Sequence, residues 1–264
     1  MAKNKHLHIR PAEIEDIPGI LRVELDRNSE RYENVPDLRA NLVDIFKTRI
    51  EIAKGWMWVA EYRGDIVGFL SAMPTSSNMN HFKSWEESTN NGTLIDRFDP
   101  DGNNVYVVNL DVLREWTKKN AQYLLMLKLG QRVIAEGKSI IYFESRIPEF
   151  RQWVDENYGL NNWNNYSQEE RDKIAKEYAL LTTYKKGKNR PYDRLLNFYI
   201  SNGFIPYRVV ADAFYDGESL NYGVVFFTDN PVPKYLRLAP LNILIANFIG
   251  MLAKRPKMVS MLIR

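Results

Sequence analysis

The segment Arg194–Phe204, which reads RLLNFYISNGF, constrains the fold of this chain more than any other stretch. Leu195, Phe198 and Tyr199 recur at the spacing of an α-helix that buries one face. Gly203 is the residue expected where a helix ends in a left-handed cap, and apolar residues resume directly after it. The segment therefore predicts a packed helix that ends just before a strand and holds the phenol of Tyr199 on a rigid element.

The rest of the chain alternates between strand-like and helix-like apolar patterns. We predict strands at 6–10, 57–62, 66–73, 105–112, 139–145, 205–213 and 222–228, and helices at 16–25, 36–55 and 117–136. The polar stretch 75–104 is either a functional loop or an ordered elaboration, and 147–192 predicts a polar, aromatic, helical insertion. The strand–helix–strand order between 105 and 145 predicts a parallel βαβ unit.

This order of elements resembles the whole fold of the GNAT superfamily of N-acetyltransferases over residues 6–228. The segment RLLNFYISNGF is similar to the last-helix signature of that superfamily, A-x-x-F-Y-x-x-x-G-F, and IRPAEIED is similar to its usual opening. The resemblance implies one α/β domain at 1–230, with a mixed central sheet flanked by helices and an insertion at 147–192. Residues 231–264 then form a C-terminal tail.

Three further stretches resemble a bacterial GNAT subfamily that is often joined to a nitrilase-like domain. They are SWEESTNNGT at 84–93, DPDGNNVYVVNLDV at 99–112 and RIPEF at 146–150. We expect only the acetyltransferase-like half in this chain.

The composition excludes several other classes of function. With 36 basic and 33 acidic side chains, the formal net charge of +3 gives no reason to expect a nucleic-acid partner. The chain has no cysteine and three histidines, so we expect neither a disulfide, a cysteine nucleophile nor a metal site. The N-terminal sequence MAKNKHLHIR lacks the apolar core of a signal peptide, which predicts a cytoplasmic protein.

The stretch after the fourth predicted strand departs from the superfamily pattern. There the family reads V-x-P-x-x-R-G-x-G-x-G, and backbone N–H groups at the start of a helix hold the coenzyme A pyrophosphate. Aligned on Val112, this chain places Lys118, Asn120 and Gln122 at the three glycine positions. Charge on Lys118 and Lys119 can compensate, and Asn120 tolerates the left-handed region. The resemblance implies that acetyl-coenzyme A is held by Leu110, Val112, Leu113, Thr117, Lys118, Lys119, Asn120, Ala121 and Gln122.

Acyl transfer to an amine requires a base for the amine and an acid for the leaving thiolate. Tyr199 occupies the motif position that carries the acid, and the reference pKa of a phenol, about 10, suits a thiol near 8.5. Asp111 and Glu144 lie inside apolar strands, where a carboxylate is costly unless paired or functional, so both are candidate bases. Structural hydrogen bonds are the alternative for both carboxylates, and core packing is the alternative for Tyr199. Backbone N–H groups of 110–113 can bind the acyl carbonyl.

The stretch 238–253, LAPLNILIANFIGMLA, is apolar on nearly all sides and is followed by Lys254, Arg255 and Lys257. It is shorter than the ~20 residues that span a bilayer. Three interpretations remain open: a helix docked on the protein's own core, a homodimer contact, or an interfacial helix on an anionic membrane. We expect lipid contact or self-association rather than simple docking, because an ordinary surface helix is apolar on one side only.

The resemblance implies an acyl-CoA-dependent N-acyltransferase that moves an acetyl group to a small-molecule or peptide amine. The enzyme would be cytoplasmic or peripheral to the inner face of the membrane. An altered pyrophosphate loop and an apolar tail also suit a transferase with a longer acyl donor. A third hypothesis is that the protein is not an enzyme but a binding module that kept the fold and lost coenzyme binding. The missing glycines of the loop are the argument for it.

Overall fold

The computed structural model describes residues 7–34, 39–117, 119–185 and 187–253. The strands are β1 (His8–Pro11), β2 (Met57–Tyr62), β3 (Asp65–Thr75), β4 (Asn104–Val112), β5 (Ile140–Arg146), β6 (Thr182–Lys185), β7 (Lys188–Pro191), β8 (Ile205–Val210) and β9 (Gly223–Asp229). The helices are α1 (Ile17–Asn34), α2 (Leu42–Ile52), α3 (Trp85–Thr89), α4 (Ala121–Ala135), α5 (Phe150–Tyr158), α6 (Gln168–Leu180), α7 (Arg194–Ser201) and α8 (Leu241–Ala253).

The chain divides into two compact units. The first unit contains Met1–Asn78, Thr89–Ile141 and Asp229–Arg264, and the second contains Met79–Ser88 and Tyr142–Thr228. The hydrogen-bonded strand order is β1-β2-β3-β4 in the first unit and β5-β9-β8 in the second. The predicted α/β class with strands flanked by helices is therefore confirmed, whereas the boundaries predicted at 147–192 and 230 stay predictions.

The first unit is built on antiparallel strands with α1 and α2 packed against them. The predicted hairpin is present, because Arg63 and Gly64 turn between β2 and β3 with φ of 55° and 88°. Gly19 lets α1 approach β3 closely, since a Cβ at that position would lie 2.7 Å from Cβ of Ile66. The rings of Phe46 and Phe69 meet edge to face in the core beneath these helices.

Several element bounds differ from the sequence prediction. Helix α1 continues to Asn34 across a kink at Asn28, beyond the predicted end at Leu25. Helix α4 begins at Ala121 instead of Thr117, because Arg114–Trp116 form a 3-10 turn before it. His6 and Pro36, which we predicted to open a strand and a helix, lie outside the described residues.

The polar stretch after β3 is an ordered elaboration with short helical turns. In the first unit, Thr89 Oγ1 accepts the N–H of Gly92, and the N–H of Leu94 donates to the carbonyl of Thr89. Leu94 is fully buried. These contacts make the segment part of the packed structure rather than a free loop.

The second unit contains the predicted insertion, which is helical and also includes the β6–β7 hairpin. Ser167 and Glu170 form a capping box at the start of α6. Phe150, Trp163 and Tyr178 lie in an aromatic cluster, with the ring of Phe150 5.7 Å from Trp163 and 5.0 Å from Tyr178. This packing explains why a polar insertion folds as a compact element.

Helix α8, in the predicted tail, packs against α4 within the first unit. Ala246 is buried with Ile134 and Val232, and Gln131 Nε2 donates to the carbonyl of Ala246 at 3.0 Å. One face of α8 is therefore docked on the protein itself. Lipid contact and a homodimer contact could involve only the other face of α8, and both stay predictions.

Candidate active site

Strand β4 presents two polar side chains on one face, as its alternation predicts. Asn109 Nδ2 donates to Asp111 Oδ2 at 3.3 Å, and both side chains are half-buried. The strand carries a bulge here, because Asn109 pairs with Ser71 while Val107 pairs with Ala72. A bulge of this kind re-aims side chains within a sheet. Asp111 lies on the C-terminal side of this bulge, where it pairs with Phe69, and the amide of Asn109 is beside it.

Helix α1 brings a second carboxylate to the same polar group. Glu24 is 1% exposed, and its Oε1 accepts hydrogen bonds from the hydroxyl of Tyr32 and from Asn28 Nδ2. Asn28 Nδ2 also donates to Asp111 Oδ2 at 3.5 Å. One side-chain amide therefore joins Glu24 to Asp111, and the kink at Asn28 lies at this junction.

Helix α2 adds a buried guanidinium to the group. Arg49 is 2% exposed and donates from Nη1 to Asn109 Oδ1 at 2.8 Å. Its Nε donates to the carbonyl of Gly92. Because the oxygen of the Asn109 amide accepts from Arg49, its nitrogen is directed to Asp111. The network contains two carboxylates and one guanidinium, so it carries excess negative charge when both acids are ionised.

Sequence reasoning found Asp111 but missed Glu24, Asn28 and Arg49. Glu24 follows Ile20 by one helical turn, and Asn28 follows Glu24 by another, so both continue the apolar face of α1. A carboxylate on that face was the available signal.

The loop between β4 and α4 is the predicted coenzyme site. Asn120 has φ 62° and ψ 12°, which is the left-handed conformation, and it directly precedes α4. Asparagine thus adopts the backbone state for which glycine is the usual residue. The N–H groups in the first turn of α4 lack acceptors inside the helix, as at the start of any α-helix. Ala121 begins that turn and is fully buried.

Side chains of the loop are tied to neighbouring groups. Lys119 Nζ lies 4.1 Å from the ring centroid of Trp116, and Gln122 Nε2 donates to the carbonyl of Thr117 at 2.7 Å. Asp26 of α1 accepts the N–H of Arg114 at 2.9 Å. Lys118 lies outside the described residues. Lys119 and Arg114 are exposed, so cationic groups are present at the start of α4.

The remaining predicted coenzyme residues lie at the end of β4. Val112 is buried, whereas Leu110 and Leu113 are half-buried. The N–H of Leu113 donates to the carbonyl of Val67 at 3.0 Å. The N–H of Leu113 is therefore already hydrogen-bonded within the protein. Of the backbone N–H groups of 110–113 that we predicted to bind the acyl carbonyl, this one is occupied.

Tyr199 belongs to the second unit and lies on α7 in an aromatic cluster. Its ring is 4.6 Å from that of Phe143 and 5.4 Å from that of Phe226, measured between centroids. The side chain is half-buried. Asp193 caps the helix that carries it, because Asp193 Oδ1 accepts the N–H groups of Leu195 and Leu196. The phenol is thus held on a helix, as predicted, and Asp193 caps the start of that helix.

Glu144 also belongs to the second unit, on β5. Successive side chains of a strand point to opposite faces, and Phe143 packs against Tyr199. Glu144 therefore lies on the face of β5 away from Tyr199. It shares that face with Tyr142, whose pKa is raised by burial and by the charge of Glu144. The structure brings Asp111 together with an amide and a second acid, whereas Glu144 stands beside a buried phenol.

No protein-family model matches the chain. Among curated proteins, the chain is similar to the uncharacterized N-acetyltransferase YkwB of Bacillus subtilis strain 168, at 26% identity over 167 residues. The match covers 61% of this chain and 63% of YkwB, so the chain spans less than two thirds of that relative.

Two solved structures resemble the chain over most of its length. The loading GNATL domain of CurA from Lyngbya majuscula gives a TM-score of 0.59 at 16% identity and covers 85% of this chain and 98% of that domain. The GphF GNAT-like decarboxylase in complex with isobutyryl-CoA gives 0.59 at 17% identity, with 84% of this chain and 99% of GphF covered. The chain has the GNAT fold, as its sequence predicted, and the nitrilase-linked subfamily stays a prediction.

Proposed function

We propose that the protein is an acyl-coenzyme A-dependent N-acyltransferase that moves an acetyl group from acetyl-coenzyme A to an amine. The acceptor is a small molecule or a peptide. One observation carries the proposal: the carboxylate of Asp111 stands on β4, the strand that leads through a left-handed Asn120 into the start of α4. The name of the B. subtilis relative supports an acyltransferase, and the isobutyryl-CoA bound to GphF supports an acyl-CoA ligand.

The loop before α4 fits a coenzyme pyrophosphate in its chemistry. A phosphate is stabilised by N–H groups in the first turn of a helix and by nearby cations. Asn120 provides the left-handed residue before that turn, and Arg114 and Lys119 provide positive charge. The acyl-coenzyme A would contribute the activated acyl group. The loop would hold its pyrophosphate through these N–H groups and cationic side chains.

The two acids of this network suit an amine acceptor. An aliphatic amine is protonated at neutral pH, so the charges of Glu24 and Asp111 favour its approach. Asp111 then accepts the proton, directly or through water, and the neutral nitrogen attacks the thioester carbon. The C–N bond forms, the C–S bond breaks, and the positively charged nitrogen of the intermediate releases its second proton to water. Tyr199 supplies a proton to the leaving thiolate and is reprotonated by solvent.

Two alternatives have an observation in their favour. All three glycine positions of the loop carry larger residues, and Gln122 and Lys119 are tied to Thr117 and Trp116. A loop of this kind suits either a different acyl donor, such as a longer chain, or a binding module without catalysis. A longer donor also agrees with the exposed apolar residues of α8.

Coenzyme binding is tested by thermal unfolding with acetyl-, isobutyryl- and long-chain acyl-coenzyme A, and with coenzyme A alone. A ligand at about 100 times its dissociation constant adds about 2.7 kcal/mol to the free energy of unfolding. A shift with any of them supports an acyl-CoA protein, and the largest shift identifies the donor. No shift with any of them contradicts the proposal and favours the binding module.

Transfer is tested by release of free thiol from the best donor with a panel of amines. Acyl transfer frees the coenzyme thiol, and the amide product appears by mass spectrometry. Decarboxylation, which the name of GphF describes, releases carbon dioxide and leaves the thioester intact. Carbon dioxide from a malonyl-type thioester without thiol release would replace the transferase proposal.

A further inference from the structure

Helix α8 has one face fixed to the protein. Asn242 Nδ2 donates to the carbonyl of Ala135 at 2.7 Å, and Gln131 Nε2 donates to the carbonyl of Ala246. Ala246 is buried, and Gly250 brings the helix so close to α4 that a Cβ there would overlap Gln131 Nε2, at 1.8 Å. This face is therefore specified by hydrogen bonds and close packing.

The other face of α8 is apolar and exposed. Leu244, Phe248 and Met251 are 61%, 57% and 60% exposed, and Leu241 begins the same row at 41%. The spacing of these four residues places them along one side of the helix. We call these four the α8 stripe. A contiguous exposed apolar row of this kind is typical of a surface that contacts another protein or a membrane.

The segment that carries the stripe has an unusual charge distribution. The residues after Asn230 contain no acidic side chain and six basic ones, which are Lys234, Arg237, Lys254, Arg255, Lys257 and Arg264. The whole chain has 36 basic and 33 acidic side chains, so the part up to Asn230 has 30 basic and 33 acidic ones. Positive charge is thus concentrated in the apolar tail, whereas the rest of the chain is slightly acidic.

We infer that the α8 stripe lies on an anionic lipid surface while the opposite face of α8 stays docked on α4. Apolar side chains enter the acyl boundary, and neighbouring Lys and Arg side chains contact anionic headgroups. In the part of the chain that the structure describes, no helix has both the length and the apolar character needed to cross a bilayer. The proposed arrangement is peripheral because α8 stays docked on α4 along one face, so that only the α8 stripe meets the surface.

The test is co-sedimentation of the full chain with vesicles of phosphatidylcholine alone and of phosphatidylcholine mixed with phosphatidylglycerol. We expect binding to the mixed vesicles at low salt, weaker binding at high salt because the charges are screened, and little binding to the neutral vesicles. Absence of binding to the mixed vesicles overturns the inference.

Two sets of variants separate the contributions. The double substitution Leu244→Ser with Phe248→Ser removes the stripe, and we expect the partition coefficient to fall about tenfold or more. Replacing Lys254, Arg255 and Lys257 with Gln lowers binding to the mixed vesicles and removes most of its salt dependence. Unchanged binding in both sets overturns the inference.

The matched control is Val43→Ser on α2, because Val43 is an apolar residue with a similar exposure of 52%. We expect it to bind vesicles like the parent chain, and thermal unfolding checks that every variant keeps its fold. Sedimentation velocity identifies the competing occupant. One outcome would assign the stripe to a second copy of the chain and overturn the lipid inference. In it the parent chain is a dimer that does not bind vesicles, and the substitution in the stripe converts it to a monomer.

Discussion

The ring of Tyr199 packs against the ring of Phe143, with 4.6 Å between their centroids. This contact depends on the ring and not on the hydroxyl. Tyr199→Phe therefore keeps the packing and removes the proposed proton donor. We expect kcat to fall about 10²-fold or more while the free energy of unfolding changes by less than about 1 kcal/mol. Steady-state kinetics and urea unfolding measure the two quantities.

Tyr142→Phe is the matched control, because Tyr142 is a buried tyrosine on the opposite face of the same strand as Phe143. We expect its kcat to stay near that of the parent enzyme. Full activity in Tyr199→Phe would leave Tyr199 as a packing residue.

The two candidate bases are separated by isosteric substitution. Asp111→Asn keeps the size of the side chain but removes the base, so we expect kcat/KM to fall about 10²-fold or more. Glu144→Gln alters a carboxylate on the face of β5 away from Tyr199, and we expect kcat/KM to stay within about threefold. The pH profile of kcat/KM is the measurement. If Glu144→Gln loses the acidic limb of this pH profile while Asp111→Asn stays active, then Glu144 and not Asp111 is the base.

Local sequence signals predicted most of the fold. Arg63–Gly64 predicted the hairpin, and the apolar run before Gly203 predicted the helix of Tyr199; both are present. Asn120 was expected to tolerate a left-handed conformation, and it adopts one. These features depend on residues that are neighbours in the chain.

The polar network around Asp111 was not predictable in the same way. Its members come from α1, α2 and β4, and Arg49 contacts an asparagine on β4 through a hydrogen bond between elements far apart in sequence. Periodicity reports which face of an element is buried, but not which polar groups on buried faces meet. Glu24 shows this limit: a carboxylate on the apolar face of α1 is a signal that it has a partner, but the pattern does not identify that partner as Tyr32 or Asn28.

Arg49 is expected to stabilise the fold of the first unit. Arg49→Met removes donors to Asn109 Oδ1 and to the Gly92 carbonyl, and leaves these acceptors without their guanidinium. We expect the free energy of unfolding to fall by about 3 kcal/mol, since a hydrogen bond to a charged group contributes about 1.5–3 kcal/mol. Urea unfolding measures the change. Lys47→Met, at an exposed position of the same helix, should stay within about 0.5 kcal/mol; a similar loss in both variants would contradict the role of Arg49.

Asn120 is expected to hold the shape of the loop through its left-handed backbone. Asn120→Gly keeps that conformation accessible, whereas Asn120→Ala makes it costly by about 1 kcal/mol. We expect the alanine variant to unfold more easily and to bind acetyl-coenzyme A more weakly, and the glycine variant to keep both properties. Urea unfolding and calorimetric titration provide the measurements. Equal behaviour of the two variants would show that the loop reaches its bound shape without a left-handed residue.

The carboxyl of Glu149 is expected to make stability depend on pH near neutrality. Burial, and then a hydrogen bond with Asp193, raise the pKa of Glu149 to about 7 from an ordinary value of 4.5. The folded state therefore binds a proton more tightly than the unfolded state does. This contribution to stability is fully present below about pH 4.5 and is lost as the pH rises through about 7.

Glu149→Gln mimics the neutral carboxyl at every pH. We expect the variant to be more stable than the parent above pH 7, by about 1 kcal/mol once the solvent exposure of the group is allowed for. The difference should shrink as the pH falls towards 4.5, because the parent then becomes protonated. Urea unfolding across this range is the measurement, with Glu156→Gln on the exposed side of α5 as control. Identical pH dependence of the parent and the variant would contradict the raised pKa of Glu149.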